Sequence, residues 1–485
     1  MTDTAFFAGG WWLALTVLGV GLSIVATAHV LLYKRDTRSA VAWLGFIWLA
    51  PIAGPILYSL LGVNRIKRRA ALLRGALSRY TAEHSVAPCP PARVVDHVPA
   101  DAAHMAGLAT VVSTVATRPL VPGNRVEPLV NGDAAYPEML AAIRSATQSV
   151  ALSTYIFDRD VVGLEFTVAL GDAVRRGVEV RVLIDATGSR YSWPSILAAL
   201  RNEGVPYARH LPLFPFTKLP SMNLRNHRKI LVVDGTLGFT GGMNIRVGHW
   251  LARNPSHPVR DIQFRIAGPV VAQMQEVFTD DWRFSSGEEL RGGAWFPALE
   301  PAGNTLARGI SDGPDEDMDK LRWTLLAALS VSRRSIRILT PYFLPDPALV
   351  SAMNVAAMRG VAVHIVVPEK NNLPFVHWAS VAQWWQVLEH GCRIWLSPPP
   401  FDHSKMFIVD DCWALVGTTN WDPRSLRLNF EFNIECYDPA LGRTLAHLFD
   451  ERLATGREVT LEEVDGRSVP VRLRDGAARL FTPFL

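Results

Sequence analysis

Two passages of this chain carry the same polar pattern 176 residues apart, and a repeat of that length confines the fold to two similar units. The first reads His227-Arg228-Lys229-Ile230-Leu231-Val232-Val233-Asp234 and continues to Gly241-Gly242-Met243-Asn244. The second reads His403-Ser404-Lys405-Met406-Phe407-Ile408-Val409-Asp410 and continues to Gly417-Thr418-Thr419-Asn420. Upstream of each, Ser149 to Phe157 and Ser335 to Phe343 read as equivalent buried strands. Each is followed by an amphipathic helical stretch closing on Arg176-Gly177-Val178 or Arg359-Gly360-Val361, where glycine suits a helix C-cap. Apolar strands, Val178 to Ile184 and Val361 to Val367, come next, so each half holds a strand–helix–strand unit that builds a sheet with helices on its faces. The predicted fold class is α/β, two halves of αβ(α) sandwich type with pseudo-twofold symmetry, residues 124–300 and 301–485. The upstream repeats are offset by 183 residues, which places extra residues of the first half between Gly204 and His227.

The N-terminus is different in kind. From Thr4 to Tyr33 no residue carries a formal charge with His29 neutral, and the run from Phe6 is long enough to cross a hydrocarbon layer of about 30 Å. Ala40 to Val63 is again charge-free, and the six polar residues between, Lys34 to Ser39, read as the loop of a transmembrane hairpin occupying residues 1–64. Trp11, Trp12 and Tyr33 suit an interfacial belt. A cleaved signal peptide is the alternative, with Ala26-Thr27-Ala28 as its small-residue site. The absence of a basic n-region, the length of the run and the second span all oppose it.

Two crossings put the N-terminus and the body on one side. Three basic residues in the loop (Lys34, Arg35, Arg38) face six beyond the second span (Arg65, Lys67, Arg68, Arg69, Arg74, Arg79), so the positive-inside rule predicts a cytoplasmic body on a cell (inner) membrane and a loop facing outward. Residues 65–123 read as basic flank and linker, because Ser85 to Pro99 holds four prolines among polar residues.

Composition narrows the class. A chain that is 49% hydrophobic and 19% charged is not disordered, and a net charge of +4 is too small for a dedicated nucleic-acid binder. Cys89, Cys392, Cys412 and Cys436 show no C-x-x-C pairing, which predicts a reducing compartment and neither disulfides nor a cysteine-rich zinc site. The other 11 histidines form no H-E-x-x-H, so no catalytic metal and no cofactor is expected.

Side chains two apart on a strand share a face, so His227 with Lys229, and His403 with Lys405, would each converge an imidazole and an ammonium on one ligand. A neutral nucleophile beside a cation suits attack on a phosphodiester. Asp234-Gly235 reads as a tight turn returning a second strand toward Asn244. Asp234 and Asp410 complete the catalytic motif, although at the far end of the strand they suit fixing a loop better than touching substrate. Only 7 of the 49 basic residues are lysine, so one chance H-x-K-x-x-x-x-D is expected on the order of 0.01 times. Two such matches with the same downstream Gly and Asn exclude coincidence.

Both motifs resemble the HKD signatures of the phospholipase D superfamily. The stretch from Arg38 to Arg69, with Ala42-Trp43-Leu44, Pro51, Gly54-Pro55, Tyr58 and Gly62-Val63-Asn64-Arg65, is similar to the two-helix anchor ahead of such domains in bacterial cardiolipin synthases. The resemblance implies that His227 attacks phosphorus to give a phosphohistidine, while His403 protonates the leaving alcohol and then deprotonates the incoming hydroxyl. It implies that Lys229, Lys405, Asn244 and Asn420 hold the phosphoryl oxygens, with Thr418 as a further substrate contact. It also implies that an acid after each motif, Asp261 and Glu431, orients a histidine. Gly242 stands where the second half has Thr418 and many family members have serine, so the first half lacks that hydroxyl.

The function this implies is a membrane-bound phosphatidyltransferase joining two phosphatidylglycerols into cardiolipin with release of glycerol. Its partners would be phosphatidylglycerol and anionic bilayer lipid, with no nucleic acid; the sequence leaves the oligomeric state open. A phospholipase D giving phosphatidic acid uses the same residues with water as acceptor, and a nucleic-acid phosphodiesterase or a non-catalytic scaffold fits less well. Leu211 to Met222, with Phe214, Phe216 and Lys218, reads equally as a lipid-dipping lip or a buried loop. Arg322 and Trp323 to Leu329 read as an amphipathic helix facing the core.

Overall fold

The computed structural model describes residues 3–34, 36–62, 86–210, 224–314 and 319–482, which fall into two compact units, residues 1–73 and 74–485. The basic flank from Arg65 to Arg79 and the segment from Leu211 to Met222 lie outside the described residues.

In the N-terminal unit, α1 (Asp3–Tyr33) contains the one described helix long and apolar enough to cross a membrane, Trp11–Tyr33, with mean hydropathy 2.1. Its 23 residues span about 34 Å at 1.5 Å per residue. The chain turns back through Asp36, whose side chain caps α2 (Thr37–Leu49) by accepting from the Ser39 amide at 2.8 Å. The described helices hold one candidate span, and the expected second one is interrupted. The 13 residues of α2 reach only about 20 Å, and Pro51, which cannot donate a backbone hydrogen bond, ends the run. The chain then reverses into α3 (Ala53–Leu57) and a wide π turn, Tyr58–Gly62. Pro51 lies deep along α1, where its carbonyl accepts from Ser23 Oγ at 3.2 Å, whereas Tyr58 has returned to His29 (2.8 Å) and to the Trp43 ring (5.3 Å). Gly54 permits the reversal, since a Cβ there would sit 2.7 Å from Ile47 Cα.

Among the described residues of the body, sixteen strands form one sheet whose order matches in the two halves apart from Arg457–Val459 at the edge of the second. Ser149–Thr154 and Glu179–Asp185 run parallel with the helix Val161–Arg175 between them, and Ser335–Leu339 and Ala362–Pro368 do the same around Pro347–Met358. Gly177 (φ 87°) and Gly360 (φ 89°) follow the two helices as left-handed caps. On the other side of each first strand an antiparallel hairpin is paired, Ile230–Val233 with Leu237–Gly241 and Met406–Val409 with Trp413–Gly417. The halves join where Val121–Val130 pairs with Thr305–Asp312. Asp234 (φ 50°) and Gly235 (φ 64°) form the tight turn read from the sequence.

The linker reading of residues 65–123 fails over its described part. Val94, Val98, Ala102, Met105, Leu108, Ala109, Val112 and Leu120 are buried in the second half's core with Leu321, Leu325 and Phe407. Helix Met105–Val115 packs on helix Lys320–Val331, so the second half includes a segment that precedes the first half in the chain. The prolines mark tight turns around short helices, Pro91–Asp96 and Ala100–Ala102. All four cysteines are free.

Candidate active site

His227 and Lys229 do not lie within a regular strand. The two-residue strand Arg225–Asn226 breaks before His227, and the hairpin begins at Ile230; likewise Phe401–Asp402 breaks before His403 and the next strand begins at Met406. What seats these short strands is the opposite half. Arg225 and Asn226 pair in parallel with Asn429 and Phe430, and Phe401 and Asp402 pair with Val259 and Arg260. The His227 amide donates to Phe430 O at 2.9 Å and the His403 amide to Arg260 O at 2.8 Å.

One residue further along those partner strands stand the two acids, so each carboxylate meets the other half's imidazole. His227 Nδ1 lies 3.0 Å from the Glu431 carboxylate, and His403 Nδ1 lies 2.9 Å from Asp261 Oδ2. With Nδ1–H donated to a carboxylate, each Nε2 carries the free lone pair. Lys229 Nζ donates to His227 O at 2.8 Å and Lys405 Nζ to His403 O at 2.6 Å, and Lys405 Nζ also sits 3.2 Å from both ring nitrogens of His403. Asn244 Oδ1 accepts from the Ile156 amide at 3.1 Å, and Asn420 Oδ1 is buried with no partner.

Thr418, expected as a substrate contact, touches an acid instead, while Asp234 and Asp410 fix backbone as their place at the strand's far end suggests. Thr418 is fully buried, donates its hydroxyl to Glu431 and accepts from the Phe432 amide at 3.0 Å, so it holds an acid and not a substrate. Asp234 accepts from the amides of Thr147, Gln148 and Ser149, and Asp410 from those of Arg333, Arg334 and Ser335 and from His104 at 2.9 Å. Both therefore tie the start of the neighbouring strand at the end remote from the imidazoles, and neither is among the groups that meet there. Gly242 is explained by Asp261, since a Cβ at 242 would lie 2.5 Å from its Oδ1. A short acid opposite glycine in one half replaces a long acid opposite threonine in the other.

Burial sets the electrostatics. It lowers His227 to about 4, with Glu431 opposing and Lys229 assisting, and it lowers His403 well below the ordinary imidazole range, assisted by Lys405, Lys229 and His227. The lysines fall too, Lys229 to about 7 and Lys405 to about 8, again through burial. Burial raises Asp261 to about 6. Burial also works to raise Glu431, but His227, Lys229 and the Thr418 hydroxyl together hold it below its usual range. The site thus offers two neutral imidazoles beside two ammonium groups whose charge burial disfavours, a setting suited to an anionic phosphodiester.

The motifs did not point to three neighbours. The Tyr155 ring packs edge-on to His227 at 5.2 Å with Lys229 Nζ over its face at 5.6 Å, and Tyr342 stands 6.5 Å from His403. The repeat does not pair them, since Tyr342 aligns with Ile156 and Tyr155 with Pro341, so the duplication gave no signal for either. His249 is buried 6.3 Å from the His403 ring, and no repeat marks it, because the second half has Ser425 there. Among the described residues no cluster of three or more His, Cys, Asp or Glu side chains is arranged to hold a metal ion.

A family model described as the phospholipase D-like domain of cardiolipin synthase matches residues 139–282 and 325–453, and a phospholipase D-nuclease N-terminal model matches residues 21–62. The major cardiolipin synthase of Bacillus subtilis is 30% identical over 488 residues, covering 97% of this chain and 98% of its own length. A cardiolipin synthase of Staphylococcus aureus is 33% identical over 381 residues, covering 76% and 74%. Among solved structures, a phosphatidylserine synthase from Haemophilus influenzae shares the fold with a TM-score of 0.61 at 15% identity, covering 78% of this chain and all of that one.

Proposed function

The chain belongs to the phospholipase D-like cardiolipin synthases, and from that membership we propose how its cleft converts two phosphatidylglycerols into cardiolipin and glycerol. It is a phosphatidyltransferase, and the observation that carries the mechanism is the reciprocal seating of His227 on Glu431 and His403 on Asp261.

The phosphodiester of the first lipid enters between Lys229 and Lys405, with the side-chain amides of Asn244 and Asn420 beside it. Its negative charge offsets the two ammonium groups that press His403 toward neutrality, so His403 gains a proton as substrate binds. His227 Nε2 attacks phosphorus, the bond to the glycerol head group breaks, and His403 passes its proton to the leaving oxygen. The hydroxyl of a second phosphatidylglycerol then gives its proton to His403 and attacks phosphorus, the P–N bond breaks, and His227 returns neutral. Each acid orients its imidazole through Nδ1, and the assignment of His227 as nucleophile rests on the family resemblance.

The membrane attachment is read from the N-terminal unit. We propose that α1 crosses the bilayer and that residues 37–62 dip in and return, so that the loop at 34–36 and residue 62 emerge on one side. Non-helical backbone at the Pro51 reversal is tolerable where it packs on another helix. The nine basic residues that flank these segments then fall on one side, and the positive-inside rule favours that side as cytoplasmic.

The test is lipid mass spectrometry on purified full-length protein in phosphatidylglycerol bilayers with EDTA present. Cardiolipin as the major product with glycerol released is expected. Phosphatidic acid as the major product would replace this reading with the hydrolase.

A further inference from the structure

The C-terminal helix Val469–Arg479 is amphipathic the wrong way round for a helix that only packs on its own domain. Its inner face carries Asp475, 1% exposed and paired with Arg467 and Arg474, together with Ala478. Its outer face carries Val469, Leu473 and Leu480, which at intervals of four and seven residues form one stripe and are 67%, 69% and 75% exposed. Phe481 extends the stripe. At 100° per residue Arg472 and Arg479 fall along one edge of the stripe, Arg474 is held by Asp475 and the Trp378 ring at 4.5 Å, and no acid lies on the stripe.

The stripe is continuous with the mouth of the active site. Phe481 packs edge-on to Phe375 at 5.5 Å, and Leu373 and Phe375 are themselves exposed. Asn372, next to Leu373, accepts from the Tyr342 hydroxyl at 2.8 Å, and Tyr342 stands against His403.

We propose that this stripe is an interfacial docking surface for an anionic bilayer, setting the mouth of the cleft at the level of lipid head groups. The inference rests on the phosphatidyltransferase reading for its substrate. Apolar side chains bordered by Arg472 and Arg479 fit the acyl–head-group boundary, where the guanidinium stems lie along the apolar layer and their heads reach phosphate. A second copy of this chain would have to bury those arginines against a face without acids, which disfavours a homodimer. A lipid substrate could then enter sideways, its head group moving from the membrane plane past Asn372 and Tyr342 to the histidines.

The experiment uses full-length protein in vesicles, on a Cys89→Ser background because the other three native cysteines are buried. Leu473→Cys carries an environment-sensitive fluorophore. In phosphatidylglycerol vesicles its emission should shift to the blue and be quenched by brominated lipid, more weakly so in phosphatidylcholine alone. Emission that stays aqueous in both overturns the proposal, as does shielding at this position that tracks dimer formation in detergent. A second variant, Arg472→Glu with Arg479→Glu, should lower transfer on vesicle lipid roughly tenfold and leave turnover of detergent-dispersed short-chain phosphatidylglycerol unchanged. Equal loss on both substrates would mean that the helix only supports the fold. If the unmodified protein turns over neither substrate, the phosphatidyltransferase reading fails, while the fluorophore still decides the surface.

Discussion

At the scale of single residues, the two histidine–acid pairs are alike in geometry and unlike in charge, and the pH dependence of the reaction should report the difference. The value of kcat/KM reflects groups of the free enzyme. Asp261, at about 6, is an anion only above that pH, whereas Lys229 at about 7 and Lys405 at about 8 are cations only below those values. A bell with its acid limb near 6 and its alkaline limb near 7 is therefore expected, the acid limb belonging to Asp261 and not to His227 at about 4. Lys229→Arg, whose guanidinium does not titrate, should lower the maximum and move the alkaline limb toward 8; a limb that stays put would remove the lysine from this role. A second expectation concerns the glycine opposite Asp261. Gly242→Ala puts a methyl 2.5 Å from the carboxylate, and displacing it by about an ångström should cost roughly 10²-fold in kcat with little change in thermal stability. At this scale the histidines, lysines and asparagines were legible because the repeat marks each twice. The acids were legible as residues, but their exchange between halves was not, since sequence order pairs each acid with its own motif. Thr418 was read as a substrate contact because a polar side chain beside a site reads the same whether it touches substrate or holds a neighbour, whereas the two motif aspartates, at the strand's far end, were legible as loop-fixing.

Among the elements, the helix Met105–Val115 shows what a composition-based reading misses. Its buried face (Met105, Leu108, Ala109, Val112) fills the second half's core, and His104 just before it reaches Asp410 of the second motif. Leu108→Ala should cost about 2–5 kcal/mol, seen as a lower thermal midpoint in detergent, whereas a true linker would tolerate the change. The prolines upstream hid this packing because they break helices and equally make the tight turns that bring short helices into a core. The strand–helix–strand units were legible for the opposite reason. Their apolar runs and glycine caps recur at one offset, and a pattern repeated at that distance reflects a shared fold. The second membrane segment was read as a span because hydropathy counts residues and is blind to a reversal at Pro51.

For the whole molecule, the proposed single crossing with a reversal at Pro51 predicts that the two termini face different compartments. On the Cys89→Ser background, an impermeant thiol reagent added to intact cells should label Thr4→Cys and neither Thr37→Cys nor Gly360→Cys. Labelling at position 37 alone would restore two full crossings, and labelling at 360 would place the body outside. The globular unit was legible as two similar halves, but not the borrowing between them, because strands only two residues long carry no periodicity.

That borrowing has a consequence for how the enzyme is made. While the ribosome is still short of residue 431, His227 has its lysine and its strand but no carboxylate, and the segment 86–120 has no core to enter. Synthesis at about 5–20 residues per second leaves the nascent chain in that condition for many seconds. A polypeptide already threaded into a lipid bilayer therefore cannot attack that bilayer's phosphodiesters until almost its last strand has emerged, so the order of translation keeps an incomplete lipid-cleaving enzyme harmless to the membrane that receives it.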